Sequence, residues 1–182
     1  MDELVERARA GDRDAFASLV GLTSDRMYAI AIRILRDGHL AEDALQGALV
    51  TVWRQLPTLR DTARFEAWAR RLLIHACYAE ARRRQTWTAN VRVLPVDGPA
   101  GPDEIVSVAD RDTLDRAFRR LSFEQRAVFV LHHHTGLALT EIADALGIPA
   151  GTARSRLHYA TRTLRAAIEA DAAPVVTQGR MA

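Results

Sequence analysis

Apolar side chains return every three or four positions along most of this chain, the spacing that gives a helix one buried face. Phe16, Leu19, Val20, Met27, Ile30, Ala31, Ile34 and Leu35 make the first run, with an expected break around Gly21-Leu22-Thr23. Asp37-Gly38 ends it. Ala41, Leu45, Ala48, Leu49, Val52 and Trp53 make a second run, stopped by Leu56-Pro57. A third starts near Phe65 and passes through Trp68, Leu72, Ala76 and Ala79 to Arg82-Arg83-Arg84. No alternating β pattern competes with these runs.

Between Thr86 and Asp112 the periodicity fails, and Pro95, Gly98, Pro99, Gly101 and Pro102 crowd together, which reads as a linker. Helical spacing resumes at Leu114, Ala117, Phe118 and Leu121. Ser122, with Gln125 three residues on, has the form of a capping box for the next helix. That helix runs through Val128, Phe129 and Leu131 towards Gly136. The expected fold is all-α: two small helical domains, 1–85 and 113–170, joined by a flexible linker over 86–112 and followed by a mobile tail, 171–182.

The stretch TEIADALGIPAGTARSRLHYATRTLR, Thr140 to Arg165, carries the sharpest pattern. Thr140 is the expected N-cap of a short helix whose buried face is Ile142, Ala143 and Leu146. Gly147 supplies a positive φ, and Pro149 pre-sets the backbone for a second helix. Ala143, Gly147 and Ala153 are small where two helices must cross closely, the requirement of a helix-turn-helix. Ala153, Leu157, Ala160 and Leu164 form the inner stripe of the second helix. Thr152, Ser155, His158, Tyr159 and Arg162 fall largely outside it, with Arg154 and Arg156 on its flanks. Hydroxyls and guanidinium groups at the start of such a helix suit the major groove; an Arg-rich solvated face is the alternative.

Two other faces are candidates. Asp43, Gln46 and Val50 form an outer stripe on the second run, suited to protein docking or simply solvated. Arg64, Arg71, His75, Tyr78 and Arg82 form a basic stripe broken by His and Tyr, able to hold a nucleic-acid backbone and stack an unpaired base. A Phe-Trp core with a solvated Arg face is the other reading of that helix.

Charge sharpens the division. All 25 basic side chains are Arg; Arg suits phosphate and guanine edges, although a GC-rich genome gives the same bias. Residues 1–85 carry 14 Arg and 12 acids, 86–113 carry 2 Arg and 5 acids, and 114–170 carry 8 Arg and 5 acids. Two basic lobes flank an acidic segment, which acts as an anion mimic or is plainly solvated. The start is acidic, no apolar signal core follows it, and no run of about 18 apolar residues exists. The expected location is the cytoplasm, without membrane insertion. Cys77, the single cysteine, has no disulfide partner within the chain and reads as a small buried residue. His132-His133-His134 cannot converge on a metal, because consecutive helical side chains point apart; a surface facing the helix C-terminal dipole is simpler. No nucleophile–base set, phosphate-binding Gly loop or convincing carboxylate pair appears. No metal, cofactor, catalysis or small-molecule substrate is expected.

The segment LSFEQRAVFVLHHHTGLALTEIADALGIPAGTARSRLHYATRTLR resembles region 4 of extracytoplasmic-function (ECF) sigma factors, most distinctively in GTARSRLH. The resemblance implies recognition of a promoter −35 element by Thr152, Arg154, Ser155, Arg156, His158, Tyr159 and Arg162. AEDALQGALVTVWRQL resembles the sigma region that grips the clamp helices of RNA polymerase, with Asp43 and Gln46 at its two best-marked positions and Val50 on the same outer stripe. LPTLRDTARFEAWARRLLIHACYAEARRR resembles regions 2.3 and 2.4. It implies that Thr58, Leu59, Arg60, Asp61, Thr62 and Arg64 belong to a loop that pockets a flipped −10 base, with Arg71, His75, Tyr78 and Arg82 behind it. His75 stands where the family commonly has Asn. Core RNA polymerase, promoter DNA and an anti-sigma factor are the implied partners. The rivals are a stand-alone helix-turn-helix regulator, which leaves the first lobe unexplained, a metal- or redox-sensing protein built on the His triplet and Cys77, and, more weakly, a nucleic-acid enzyme.

Overall fold

Asp12 opens the first long helix, its carboxylate accepting from the backbone N–H of Asp14 and Ala15 at 2.9 and 3.0 Å. In the computed structural model, which describes the backbone of residues 1–90 and 108–172 and the side chains of 1–86 and 114–170, every regular element is helical. These are α1 (Asp2–Arg9), α2 (Arg13–Leu35), α3 (Gly38–Gln55), two 3-10 turns (Leu56–Thr58 and Thr62–Arg64), α4 (Phe65–Asn90), α5 (Val108–Arg119), α6 (Phe123–His133), α7 (Leu139–Leu146) and α8 (Ala150–Ala172). Most of the expected linker and nearly all of the tail fall outside the described residues.

Local chemistry explains most boundaries. Arg36 takes a left-handed conformation, φ 56°, at the end of α2, and Asp37 caps α3 by accepting from Leu40 N at 3.1 Å. Ser122 and Gln125 form the expected capping box of α6. Three expectations are corrected. First, α2 runs unbroken through Gly21-Leu22-Thr23. Thr23 is buried and its hydroxyl donates to Leu19 O at 2.7 Å, within the helical turn, while a side chain at Gly21 would meet open space. Second, Ala138, not Thr140, caps α7: Glu141 reaches back to accept from Ala138 N at 2.8 Å, so the helix starts earlier. Third, the buried face of α4 is Phe65, Ala69, Leu73, Ile74 and Cys77, while Trp68, Leu72 and Ala76 are half-buried and Ala79 is exposed. That helix is covered by α2 and α3 on one side and by α7 on another, so its burial is wider than a single stripe. Helix α1, which carries too short an apolar pattern to stand out, adds Val5 and Ala8 to the core.

Three apolar clusters result. One joins α1, the start of α2, the end of α3 and the start of α4, around Leu19, Val52, Leu56 and Phe65. Another joins α5 to α8 through Ala117, Leu121, Ala160 and Leu164. The largest crosses between the halves of the chain: Ile30, Ile34, Leu73, Ile74 and Cys77 pack with Val128, Leu131 and Ile142. Burial pushes the Cys77 thiol up to about 12, so it remains protonated and serves as packing volume. No described helix is long and apolar enough to cross a membrane.

Candidate nucleic-acid interface

The helix-turn-helix is α7, Gly147 and α8. Gly147 has φ 63°, and its turn is closed by Ile148 N donating to Ala143 O at 3.0 Å. Pro149 O accepts from Thr152 N and Ala153 N at 2.9 and 3.1 Å, starting α8. Ala143 and Ala153 are buried at the crossing, and Ala160, Leu164 and Ala167 continue the inner stripe. Arg154, Ser155, His158, Tyr159 and Arg162 are exposed; Thr152 and Arg156 are half-buried. These exposed and half-buried side chains lie on one continuous helix.

Residues 58–64 are shaped by their own backbone bonds. Thr58 donates its hydroxyl to Gln55 O at 2.7 Å, and Asp61 accepts from Ala63 N and pairs with Arg64, both at 3.1 Å. From α1, Arg9 donates to Leu59 O at 3.1 Å and ties the loop down. Arg60, Asp61 and Arg64 point to solvent and Thr62 is half-buried. Leu59 is 8% exposed and belongs to the apolar cluster, so its side chain anchors the loop and presents nothing at the surface.

The basic stripe of α4 is split. Arg71 and Arg82 are exposed, but His75 donates from Nε2 to Ala145 O of α7 at 3.0 Å. Tyr78 stacks edge-on with Phe123 of α6, ring centroids 4.7 Å apart. Burial raises the Tyr78 pKa against the opposing charge of nearby Arg156 on α8, and its hydroxyl has no hydrogen-bond partner. The middle of the stripe thus touches the C-terminal half, with His75 still exposed and Tyr78 half-buried.

The stripe on α3 is open. Asp43, Gln46 and Val50 are exposed, Val50 at 49%. Asp43 is bridged to Arg83 at 2.9 Å across exposed surface, a contact worth little in water. The three histidines end α6: His132 meets Leu137 O at 2.9 Å through Nδ1, and burial, then the charge of His132, lowers the His133 pKa. No group of His, Cys, Asp and Glu able to hold a metal occurs among the described residues.

Comparison with known proteins settles the family. Residues 19–88 match Sigma-70 region 2 and residues 117–166 match Sigma-70, region 4. The ECF RNA polymerase sigma factor SigL of Mycobacterium tuberculosis (strain H37Rv) is 33% identical, the alignment covering 79% of this chain and 82% of that protein. The chain belongs to the ECF sigma factors. SigW of Bacillus subtilis (strain 168) is 27% identical over 88% of this chain and 92% of its own length. Among solved structures, the sigma factor RpoE of Bartonella quintana, in complex with the anti-sigma factor NepR, has the same fold: TM-score 0.73, 23% identity, 86% of this chain and 98% of that one. As an ECF sigma factor the chain acts in promoter-specific transcription initiation and is not an enzyme.

Periodicity missed a set of residues that this sigma factor uses between its halves. Arg126, half-buried, donates from Nε to Ile34 O at 2.6 Å. Burial, then the charge of Arg36, lowers its pKa to about 10, so it stays cationic at neutral pH. Arg36, beyond the end of α2, pairs in the opposite direction with Asp115 of α5, which also meets Arg119 at 3.2 Å. Burial raises the Asp115 pKa, but the bonds and charge of Arg36 and then Arg119 outweigh it and hold the carboxyl below its usual range. In the sequence these are scattered, ordinary surface-type residues, and the pairing of Arg36 with Asp115 and of Arg126 with Ile34 is nonlocal.

Proposed function

We propose that this sigma factor docks on core RNA polymerase through Asp43, Gln46 and Val50. It reads −35 duplex DNA with Thr152, Arg154, Ser155, Arg156, His158, Tyr159 and Arg162, and captures melted −10 DNA with the loop 58–64 and Arg71, His75, Tyr78 and Arg82. The division of labour is 1–85 for polymerase and −10, 86–112 as linker, 113–170 for −35, and 171–182 as tail. The observation that carries the reading is the exposed Arg154, Ser155, His158 and Arg162 on the helix that follows the Gly147 turn. A helix so placed offers N–H groups to phosphate and guanidinium forks to base edges. The loop supports capture because Arg60 stands out from a backbone pinned by Arg9 and Asp61. The protein works in the cytoplasm, with promoter DNA, core polymerase and an anti-sigma factor as partners, and without a small-molecule substrate.

Run-off transcription with core enzyme tests the reading: the chain should direct specific starts. Arg154→Ala should cost about 1–3 kcal/mol at its cognate base pair if the contact is bidentate. Arg60→Ala should leave −35 binding intact and lower permanganate reactivity of −10 thymines. Starts that do not depend on the added chain would refute the assignment.

A further inference from the structure

We infer that helix α1 is part of the −10 reading apparatus, and that Arg9 is a positioning residue that fixes the capture loop so that it discriminates among unpaired bases. The inference rests on the proposed role of residues 58–64 in strand capture. The match to Sigma-70 region 2 begins at Leu19, so α1 lies outside it, yet α1 packs against both 3-10 turns of the loop.

The loop hangs between two apolar anchors. Leu59 and Phe65 are buried, and Val5 and Ala8 of α1 belong to the same cluster. Between the anchors, Arg60, Asp61, Ala63 and Arg64 are exposed. Residues 59–61 belong to no helix, so their backbone groups need partners from elsewhere. Leu59 N donates to Leu56 O at 3.0 Å, and Leu59 O accepts from Arg9 Nη1 at 3.1 Å. Asp61 braces the loop from within, through Ala63 N and Arg64; Arg9 fixes it to the rest of the fold.

Arg9 is itself held. Its Nη2 meets Glu6 Oε2 at 2.8 Å, one turn back on α1, which leaves Nη1 aimed at the carbonyl. Helix α1 is fixed in turn on α2. Arg7 donates from Nε and Nη2 to Asp12 Oδ2 at 3.0 and 2.7 Å, and the other oxygen of that carboxylate caps α2. A continuous set of bonds therefore runs from α2 through α1 to the residue before Arg60. A site tells one base from another by donors and acceptors held in fixed places. Attraction to the phosphates depends on charge and survives a small shift of the loop. Loss of the Arg9 bond should therefore flatten base preference more than it weakens binding. Because Glu6 and Leu59 O occupy its fork, Arg9 acts through the loop and not on the strand.

The test uses the full chain bound to core RNA polymerase and a pool of short single DNA strands of random sequence; the retained strands are sequenced. Arg9→Met keeps the aliphatic stem and removes the donors, whereas Arg9→Lys returns one donor within reach of the carbonyl. Arg9→Met should lower the enrichment of the preferred base at the captured position by about tenfold, within the range of a single base contact. Total strand retention should change little. Hydrogen exchange at the amides of Ala63 and Arg64 should quicken, while that of the α3 amides stays as in the unsubstituted chain. Arg9→Lys should restore most of the preference and of the protection. Arg60→Ala is the companion variant, because the capture reading sets Arg60 against the strand. If Arg60→Ala flattens the preference and Arg9→Met does not, the positioning role is overturned and the capture role stands. If neither variant alters the preference, the capture role fails and the inference falls with it. A uniform loss of retention in Arg9→Met with the preference intact, or no restoration by Arg9→Lys, makes Arg9 a plain structural contact and equally overturns the inference.

Discussion

Two stripes, on α3 and on α4, have the same standing in the sequence and opposite fates in the structure. Asp43, Gln46 and Val50 lie outward on α3 and are open to a partner. His75 and Tyr78 lie on a stripe of equal regularity, yet the second half of the chain makes contact with both, leaving Tyr78 half-buried and His75 exposed. Helical periodicity identifies the face that a helix turns away from its nearest neighbours. It does not register a second domain arriving from more than forty residues away. A stripe that carries an aromatic and a histidine among arginines can therefore be a ligand face, an intramolecular interface, or each in turn. The α3 stripe, which mixes an acid, an amide and a valine, has no such contact with the second half among the described residues.

The largest expected effect tests whether the second half and the body of the first half form one cooperative unit. Leu131 is fully buried in the cluster that crosses between the halves. Leu131→Ala should cost about 2–5 kcal/mol, the range for deleting a buried leucine side chain. Calorimetry should show the loss in a transition that includes α2 and α4, followed by hydrogen exchange at Ile34 and Leu73. A loss confined to the amides of α5 to α8 would mean that the halves fold separately and that α4 is contacted only in passing.

A smaller effect is expected at the turn between α7 and α8. Gly147→Ala places a side chain at φ 63°, where nothing lies within contact distance but the conformation itself is unfavourable. The cost should be about 1 kcal/mol. Because α7 carries the Ala145 carbonyl, the His75 ring resonances should shift with it, whereas those of His39 on α3 should not. Equal shifts at both histidines would erase the distinction between the stripes.

Much of this could be read from the chain because it is local. The Ser122–Gln125 box, the Asp37 stop and the Gly147 turn each depend on residues within a few positions, and each appears as expected. The division of α8 into an inner and an exposed face was legible for the same reason: its inner stripe is served by α5, α6 and α7 over a continuous helix. Errors arose where two local solutions competed or where burial was two-sided. Thr140 and Ala138 both stood near the start of α7, and Glu141 reaching back decided between them. Gly21 suggested a break that Thr23, bonding within its own helix, did not need. The face of α4 was displaced because α7 buries part of it in addition to α2 and α3. The side chain of Leu59 is buried in the apolar cluster, and only the fold could show which loop residues point outward. Arg36 and Arg126, which link the halves, left no periodic trace at all.

Acid should separate the stripes more gently. The Asp115 carboxyl, held below its usual 3.8 by Arg36 and Arg119 against the cost of burial, contributes to the contact between the halves while it is ionised. A depressed folded value means that this contribution is present above the ordinary carboxylate range and is lost as pH falls through the lower folded value. Distances between spin labels on α3 and α8 should therefore stay constant from neutral pH down to about 4 and lengthen below it, and Asp115→Asn should abolish that acid limb. A limb unchanged in Asp115→Asn would assign the opening to other carboxylates.

The smallest effect on stability belongs to the open stripe, and it carries the sharpest contrast in function. Asp43 and Gln46 are exposed, and the bridge from Asp43 to Arg83 spans solvent, where such pairs add little. Asp43→Arg with Gln46→Arg should shift stability by no more than about 0.5 kcal/mol per site. The inter-domain distance should also be unchanged, because neither residue touches the second half. Binding to core polymerase should nevertheless be lost, since two cations replace an acid and an amide on the proposed docking face. Single-strand binding by the free chain should hold or rise slightly with the added positive charge. The same two substitutions on α4, at His75 and Tyr78, should do the reverse: they would open the halves by crowding Ala145 and Phe123 while leaving polymerase affinity close to wild type. Native-strength binding of the α3 double variant to core enzyme would remove the docking role from the α3 stripe, and the contrast between an open face and one in contact with the second half would then be structural only.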